Sequence, residues 1–179
     1  MYKRDVQKTL VFHIVIVVYL HMENLYDYIL KHIGERYGRS EDFLEGVMAR
    51  IAWHESRGVV DQEQIGGGPG RGLFQFETGI SQGGETAMNR LLRWFGKHDI
   101  TRPSWATVGI DGVDASCLTA ECQNMLFLAN VRYHPKASFK GLTIENLPEW
   151  WADYHWAGAE VDRVHHIRSF DHSMEHFKA

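Results

Sequence analysis

From Leu25 the apolar positions fall three and four apart: Leu25, Tyr26, Ile29, Leu30, Ile33 and Tyr37. That spacing predicts an amphipathic helix, with Gly34 and Gly38 marking its end. Ser40 is then placed to cap a second helix, whose first turn holds Glu41 and Asp42, where the helix dipole favours acids. This helix carries Leu44, Val47, Met48 and Ile51 on one stripe. Glu55 falls on the same stripe, four residues beyond Ile51 and seven beyond Met48. Gly58 lies where the helix should stop. From Ile65 to Gly72 the sequence IGGGPGRG has five Gly and one Pro in eight residues, which predicts a tight loop or hairpin. Leu73 to Glu77, LFQFE, alternates apolar and polar and predicts an extended stretch leaving that loop. Helical spacing returns over Glu85 to Phe95, with Leu91, Leu92 and Phe95 inward, and over Thr119 to Tyr133, with Met125, Leu126, Ala129 and Val131 in the core. Thr101 to Gly112 reads as loop. Pro148 opens a further helix at its first turn, where a missing N–H costs nothing, and Trp151, Tyr154 and Gly158 share a face of it. The expected class is α+β, mainly α, with a small β element after the first long helices. There is no internal repeat.

Ahead of these helices, Leu10 to Leu20, LVFHIVIVVYL, follows the basic residues Lys3, Arg4 and Lys8. A charged stretch before an apolar run is the layout of a secretory signal. The run is shorter than the roughly 20 residues a span needs, and extending it to Leu30 would put His21, Glu23 and Asp27 in lipid. No stable membrane span is therefore expected. The β-branched crowd Val11, Ile14, Val15, Ile16, Val17 and Val18 favours extended chain. Residues 1–21 are read as an apolar arm packed on the domain or on a partner, and 22–179 as the domain. The competing reading is a membrane-associating or export-linked segment, which a second start at Met22 would omit.

The chain has 179 residues, 44% of them hydrophobic, and a net charge of -4 from 19 Lys+Arg and 23 Asp+Glu. One domain of this size buries roughly two thirds of its unfolded surface, so it folds without disulfides or a structural metal. An acidic balance argues against a nucleic-acid ligand, which calls for a basic field. Cys117 and Cys122, five apart, form neither a redox pair nor half of a zinc site, and both are expected as buried thiols. His54-Glu55 has the start of a zinc-protease motif, but position 58 is Gly where the second His must stand. His165, His166, His172 and His176 make a His-rich tail, read as solvated surface. No metal and no cofactor are expected.

Glu55 is the strongest candidate for chemistry. A carboxyl at the end of a helix, on its buried stripe and opening onto a glycine loop, is partly desolvated, which favours the proton-bearing form that a general acid for glycosidic cleavage needs. The bland alternative is a structural carboxylate paired with Arg50 or Arg57.

The company Glu55 keeps adds to this. WHESRG, Trp53 to Gly58, is followed seventeen residues after Glu55 by GLFQF, Gly72 to Phe76, and far downstream by ADYHWAG, Ala152 to Gly158. Together these resemble the three motifs of the soluble lytic transglycosylases: a Glu-Ser pair, a Gly-Leu-x-Gln turn and an Ala-x-Tyr-Asn-x-Gly helix. The similarity runs from about residue 25 to 160, in the right order. It implies a lysozyme-like fold with its small β element beside the active-site cleft. It also implies that Glu55 protonates the bond between N-acetylmuramic acid and N-acetylglucosamine, then acts as base while the muramoyl 6-hydroxyl attacks, leaving a 1,6-anhydro end. By the same resemblance Gln75 lines the cleft, Tyr154 hydrogen-bonds the acid, Ser56 stands beside it, and Gly72 and Leu73 shape the turn. Phe74, Phe76 and Trp156 either stack on sugar faces or belong to the core. His155 stands where the family has Asn, and would meet the sugar differently.

A hydrolytic lysozyme would need a second carboxylate, for which Asp61, Glu63 and Glu77 are available. A non-catalytic wall-binding or virion component is the third reading. A compact wall-degrading enzyme resembles a bacteriophage product, either an endolysin or a virion enzyme. Its partner would be bacterial peptidoglycan, with residues 1–21 facing other virion proteins, and its place the virion or the host cell envelope.

Overall fold

A computed structural model describes residues 25–64, 67–77, 86–106, 115–135, 137–155 and 160–178. The arm over 1–21 lies outside the described residues, as do Glu85, residues 107–112, Trp156, Ala157 and Gly158. Among the described residues there are six α-helices and one two-stranded antiparallel sheet, so the protein is α+β and mainly α.

Helix α1 covers 25–37 and buries Leu25, Ile29, Leu30 and Ile33, the stripe read from the spacing. It ends on Gly38 at φ 63°, with the Arg39 N–H returning to the Gly34 carbonyl at 2.9 Å. A left-handed residue followed by that six-to-one bond closes the orphan carbonyls of the last turn. Gly34 is required for a second reason: a Cβ there would lie 2.6 Å from the Arg39 carbonyl oxygen. One residue on, Ser40 caps α2 (Glu41–Ser56), its hydroxyl accepting from Phe43 N–H at 3.2 Å. Leu44, Val47, Met48 and Ile51 are buried as expected. The helix stops one residue before Gly58, because Arg57 itself turns left-handed at φ 58° and donates back to the Trp53 carbonyl.

The hairpin pairs β1 (Gly70–Arg71) with β2 (Phe76–Glu77), in register Gly70 with Glu77 and Arg71 with Phe76. The extended stretch expected from Leu73 to Glu77 is confined to its last two residues. Residues 72–75 form a turn instead, with Gly72 at φ 76° and Gln75 at φ 49°. Leu73, Phe74 and Gln75 are buried in succession, so the alternation in LFQFE belongs to a turn pressed into the protein.

Beyond the hairpin, α3 (Ala87–Lys97) is capped by Thr86 and starts two residues later than the spacing suggests. Leu91 and Phe95 are buried with Met88 and Trp94, whereas Leu92 is only partly so. A 3-10 turn (Ala115–Cys117) precedes α4 (Ala120–Tyr133), whose Thr119 cap accepts from the Cys122 N–H. Cys122 is buried and burial pushes its thiol up, but Cys117 is exposed on the turn, which corrects the expectation of two buried thiols. From Met125 to Val131 every residue of α4 is buried. A helix covered on all sides is the centre of a domain. Helix α3 packs on α4, α5 (Leu147–His155) packs on α6 (Glu160–Met174), and α6 returns to α2. Among the described residues no helix is long and apolar enough to cross a membrane.

Candidate active site

The three sequence segments singled out around Glu55, Gln75 and Tyr154 meet at the end of α2. Ser56, the last residue of α2, is buried, and its hydroxyl faces the Ala52 carbonyl at 2.8 Å and the Leu73 carbonyl at 3.0 Å. It therefore ties the 72–75 turn to the helix and has no free face for a ligand. The other side of the turn is held by α4. Leu73 N–H donates to Gln123 Oε1 at 2.7 Å, while Gln123 Nε2 donates to the carbonyls of Val60 at 2.8 Å and Leu118 at 3.1 Å. Gly72 has no room for a side chain, since a Cβ would lie 2.2 Å from Gln123 Oε1. Gln75 folds back so that its Nε2 donates to the Gly72 carbonyl at 2.9 Å and the Gln62 carbonyl at 3.3 Å. Phe74 is stacked on Phe127 with ring centroids 4.6 Å apart, in the core beneath the turn.

Glu55, the last residue but one of α2, has its side chain 13% exposed and is joined to the pocket around Tyr154 only through Trp151, without being part of its wall. The Trp151 indole N–H donates to Glu55 Oε1 at 2.7 Å, and His54 Nε2 lies 3.7 Å from the same oxygen. The arginines that offered a structural pairing are turned away. Arg50 donates to the Gly46 carbonyl and lies over the Phe177 ring, while Arg57 reaches the Trp53 carbonyl and ring.

Tyr154 is not the group on Glu55. Its hydroxyl accepts from the Asn130 amide, whose Oδ1 in turn accepts from Arg90 Nη1 at 2.6 Å. Burial raises the Tyr154 hydroxyl above its ordinary range, against the opposing pull of the Arg90 charge and of the bond to Asn130. Trp151, one helical turn before Tyr154 on the same face of α5, takes the place on the carboxyl that the resemblance gives to tyrosine. Both residues still line one open pocket. Its wall is Phe74, Gln75, Phe76 and Glu77 from the hairpin, Ala87 and Arg90 from α3, Phe127, Asn130 and His134 from α4 and its end, and Trp151 with Tyr154 from α5. Trp150, Trp151 and Tyr154 form a ladder of rings, with Trp150 and Tyr154 parallel to within 1°. Of this ladder Trp151 and Tyr154 belong to the pocket wall, and a wall that is aromatic with a few convergent polar groups is the usual make-up of a small-molecule site.

Of the remaining candidates, Asp61 and Glu63 are exposed, and Glu63 bridges to Arg71 through its backbone. Glu77 lines the pocket. The backbone of His155 closes α5, and Trp156 falls outside the described residues. The described residues contain no group of three or more His, Cys, Asp or Glu that could hold a metal. Gln123 and Asn130 were missed by the sequence reading, although a polar residue on a helix otherwise apolar all round is itself the signal. Compared with known proteins, the chain matches no family model, no curated sequence and no solved structure.

Proposed function

We propose that the protein is a peptidoglycan lytic transglycosylase built on a lysozyme-like scaffold. The observation that supports this reading is convergence: three segments far apart in sequence meet at the end of α2, which carries the Glu55 carboxyl. Ser56 joins the Leu73 carbonyl, Trp151 joins Glu55, and Gln75 and Tyr154 line the adjoining pocket. Glu55, nearly closed from water and held through Oε1, has Oε2 left to give its proton to the glycosidic oxygen. As that C–O bond breaks, its electron pair stays with the departing N-acetylglucosamine. Glu55, now a carboxylate steadied by the indole N–H, takes the proton of the muramoyl 6-hydroxyl as that oxygen bonds to the anomeric carbon. The proton count on the enzyme is unchanged at the end, and no water is consumed.

The test is Glu55→Gln, which keeps size and can still accept from Trp151. Release of soluble fragments from purified peptidoglycan should fall by orders of magnitude while the circular dichroism spectrum is unchanged. A folded and active Glu55→Gln would remove the assignment. A hydrolytic lysozyme is the second reading, and the specific observation behind it is Glu77, a carboxylate on the wall of the pocket that Trp151 shares with Tyr154. Either activity places the protein at the bacterial envelope, in keeping with a bacteriophage lysis or virion enzyme.

A further inference from the structure

The residue before the proposed acid is held in a way that cleavage by Glu55 alone does not use. His54 Nδ1 lies 3.1 Å from Ser173 Oγ in the last turn of α6, and that hydroxyl donates to the Phe170 carbonyl at 2.7 Å. A hydroxyl has one hydrogen to give. With it on Phe170, Ser173 Oγ can only accept from His54, so the hydrogen between them belongs to Nδ1. In the neutral ring the lone pair is then on Nε2, the nitrogen that lies 3.7 Å from Glu55 Oε1. The surroundings leave the imidazole little freedom. Its side chain is 10% exposed, the Phe170 ring lies 4.8 Å away, and the Trp53 indole N–H pins the same turn of α6 through the Ser173 carbonyl at 3.0 Å.

A serine, a histidine and a carboxylate in contact suggest a nucleophilic triad, but the order is reversed. In a triad the serine faces Nε2 and the acid Nδ1. Here the serine is on Nδ1, is buried, and already donates to a carbonyl. It is an orienting group.

We propose that His54, oriented by Ser173, is a positioning residue for Glu55, turning Nε2 toward the carboxyl at ion-pair distance so that a protonated ring faces the carboxylate. This rests on the reading of Glu55 as the acid and base. At that separation a protonated ring is an opposite charge beside the carboxylate that forms when Glu55 gives up its proton. Trp151 and His54 both address Oε1, which leaves Oε2 for the substrate. Among the described residues, the charged and titratable side chains within four positions of His54 and of Ser173, around the ends of α2 and α6, are Arg50, Glu55, Arg57, Asp171, His172, Glu175 and His176. Arg50 is engaged by Gly46 and Phe177, Asp171 is exposed, and His172 pairs with Glu175 at 3.2 Å.

Long-range 1H–15N correlation spectra of the labelled full chain read the ring with no substrate present, His54 being assigned from His54→Gln. Neutral His54 is expected as the Nδ1–H tautomer. Its protonation midpoint is expected to fall by about one pH unit in Glu55→Gln, the order of shift that losing an opposite charge a few ångströms away produces. An Nε2–H tautomer, or a midpoint unmoved in Glu55→Gln, overturns the proposal. Folded Ser173→Ala should let the ring sample both tautomers, and a ring still wholly Nδ1–H there refutes the orienting role. On peptidoglycan, His54→Gln should lower kcat with KM unchanged; an unchanged kcat also overturns it. Wild-type protein that leaves peptidoglycan intact would overturn the cleavage reading instead, because the ring spectra test the pair without substrate.

Discussion

Replacing Gln123 by Leu removes a central tie of the site while nearly conserving side-chain volume. Gln123 is fully buried and makes three hydrogen bonds, accepting from Leu73 N–H and donating to the Val60 and Leu118 carbonyls. Without it the Leu73 N–H, the most buried of the three partners, is left unsatisfied at a cost of about 2 kcal/mol, and the two partly buried carbonyls lose about 1 kcal/mol each. An added apolar contact from Leu offsets roughly 1 kcal/mol of this. The expected net loss is about 3 kcal/mol, a large fraction of the 5–15 kcal/mol that typically holds a domain together. In urea with a slope of about 2 kcal/mol per molar, the unfolding midpoint should drop by about 1.5 M at unchanged slope. Circular dichroism through the transition measures it. Activity at temperatures where the variant is folded should fall as well, because the turn carrying Gln75 loses its anchor to α4. A midpoint shift below about 0.3 M would refute the reasoning and mean that the turn is held by something other than Gln123.

Three further outcomes follow from the same geometry. Gly72→Ala puts a side chain at φ 76° and against Gln123 Oε1, so it should destabilise by more than about 2 kcal/mol in the same urea titration; a neutral effect would contradict the close approach. Trp151→Phe keeps the ring but removes the indole N–H on Glu55, and with it a charge-assisted bond of about 1.5 to 3 kcal/mol. Its kcat should fall roughly 10- to 100-fold, whereas Tyr154→Phe, whose hydroxyl meets Asn130, should cost less than about tenfold. Equal losses in the two variants would contradict the placement. The third outcome concerns alkaline stability. Tyr154 in the folded protein ionises only well above its ordinary value of 10.0, so the unfolded chain releases that proton first and stability is fully present below about pH 10 and lost above it. Thermal unfolding followed at pH 9 to 11 should show a steeper decline for wild type than for Tyr154→Phe, by up to about 1.4 kcal/mol per pH unit.

What could be read from the chain divides along sequence distance. The end of α1 at Gly38, the Ser40 cap and the buried stripe of α2 depend on residues within a turn or two of one another, and the pattern carries them. The 72–75 turn depends on Gln123, fifty residues away, so the alternation in LFQFE suggests a strand that the tertiary contact overrides. The face shared by Trp151 and Tyr154 is legible from their spacing. Which of the two meets Glu55 is decided by how α5 lies against α2, and nothing local specifies that. The lock between His54 and Ser173 spans 119 residues and has no local trace at all. Cys117 looked like a core residue by type, but the chain places it on an exposed 3-10 turn.

The central claim is that Glu55 cleaves peptidoglycan without consuming water. Mass spectrometry of the muropeptides released from purified peptidoglycan, by wild type and by Glu55→Gln in parallel, tests it most directly. The account predicts fragments ending in 1,6-anhydro-muramic acid from the wild type and none from the variant. Fragments with reducing ends would contradict it and turn attention to Glu77 as a second carboxylate, and a folded wild type that releases nothing would contradict any cleavage by this site.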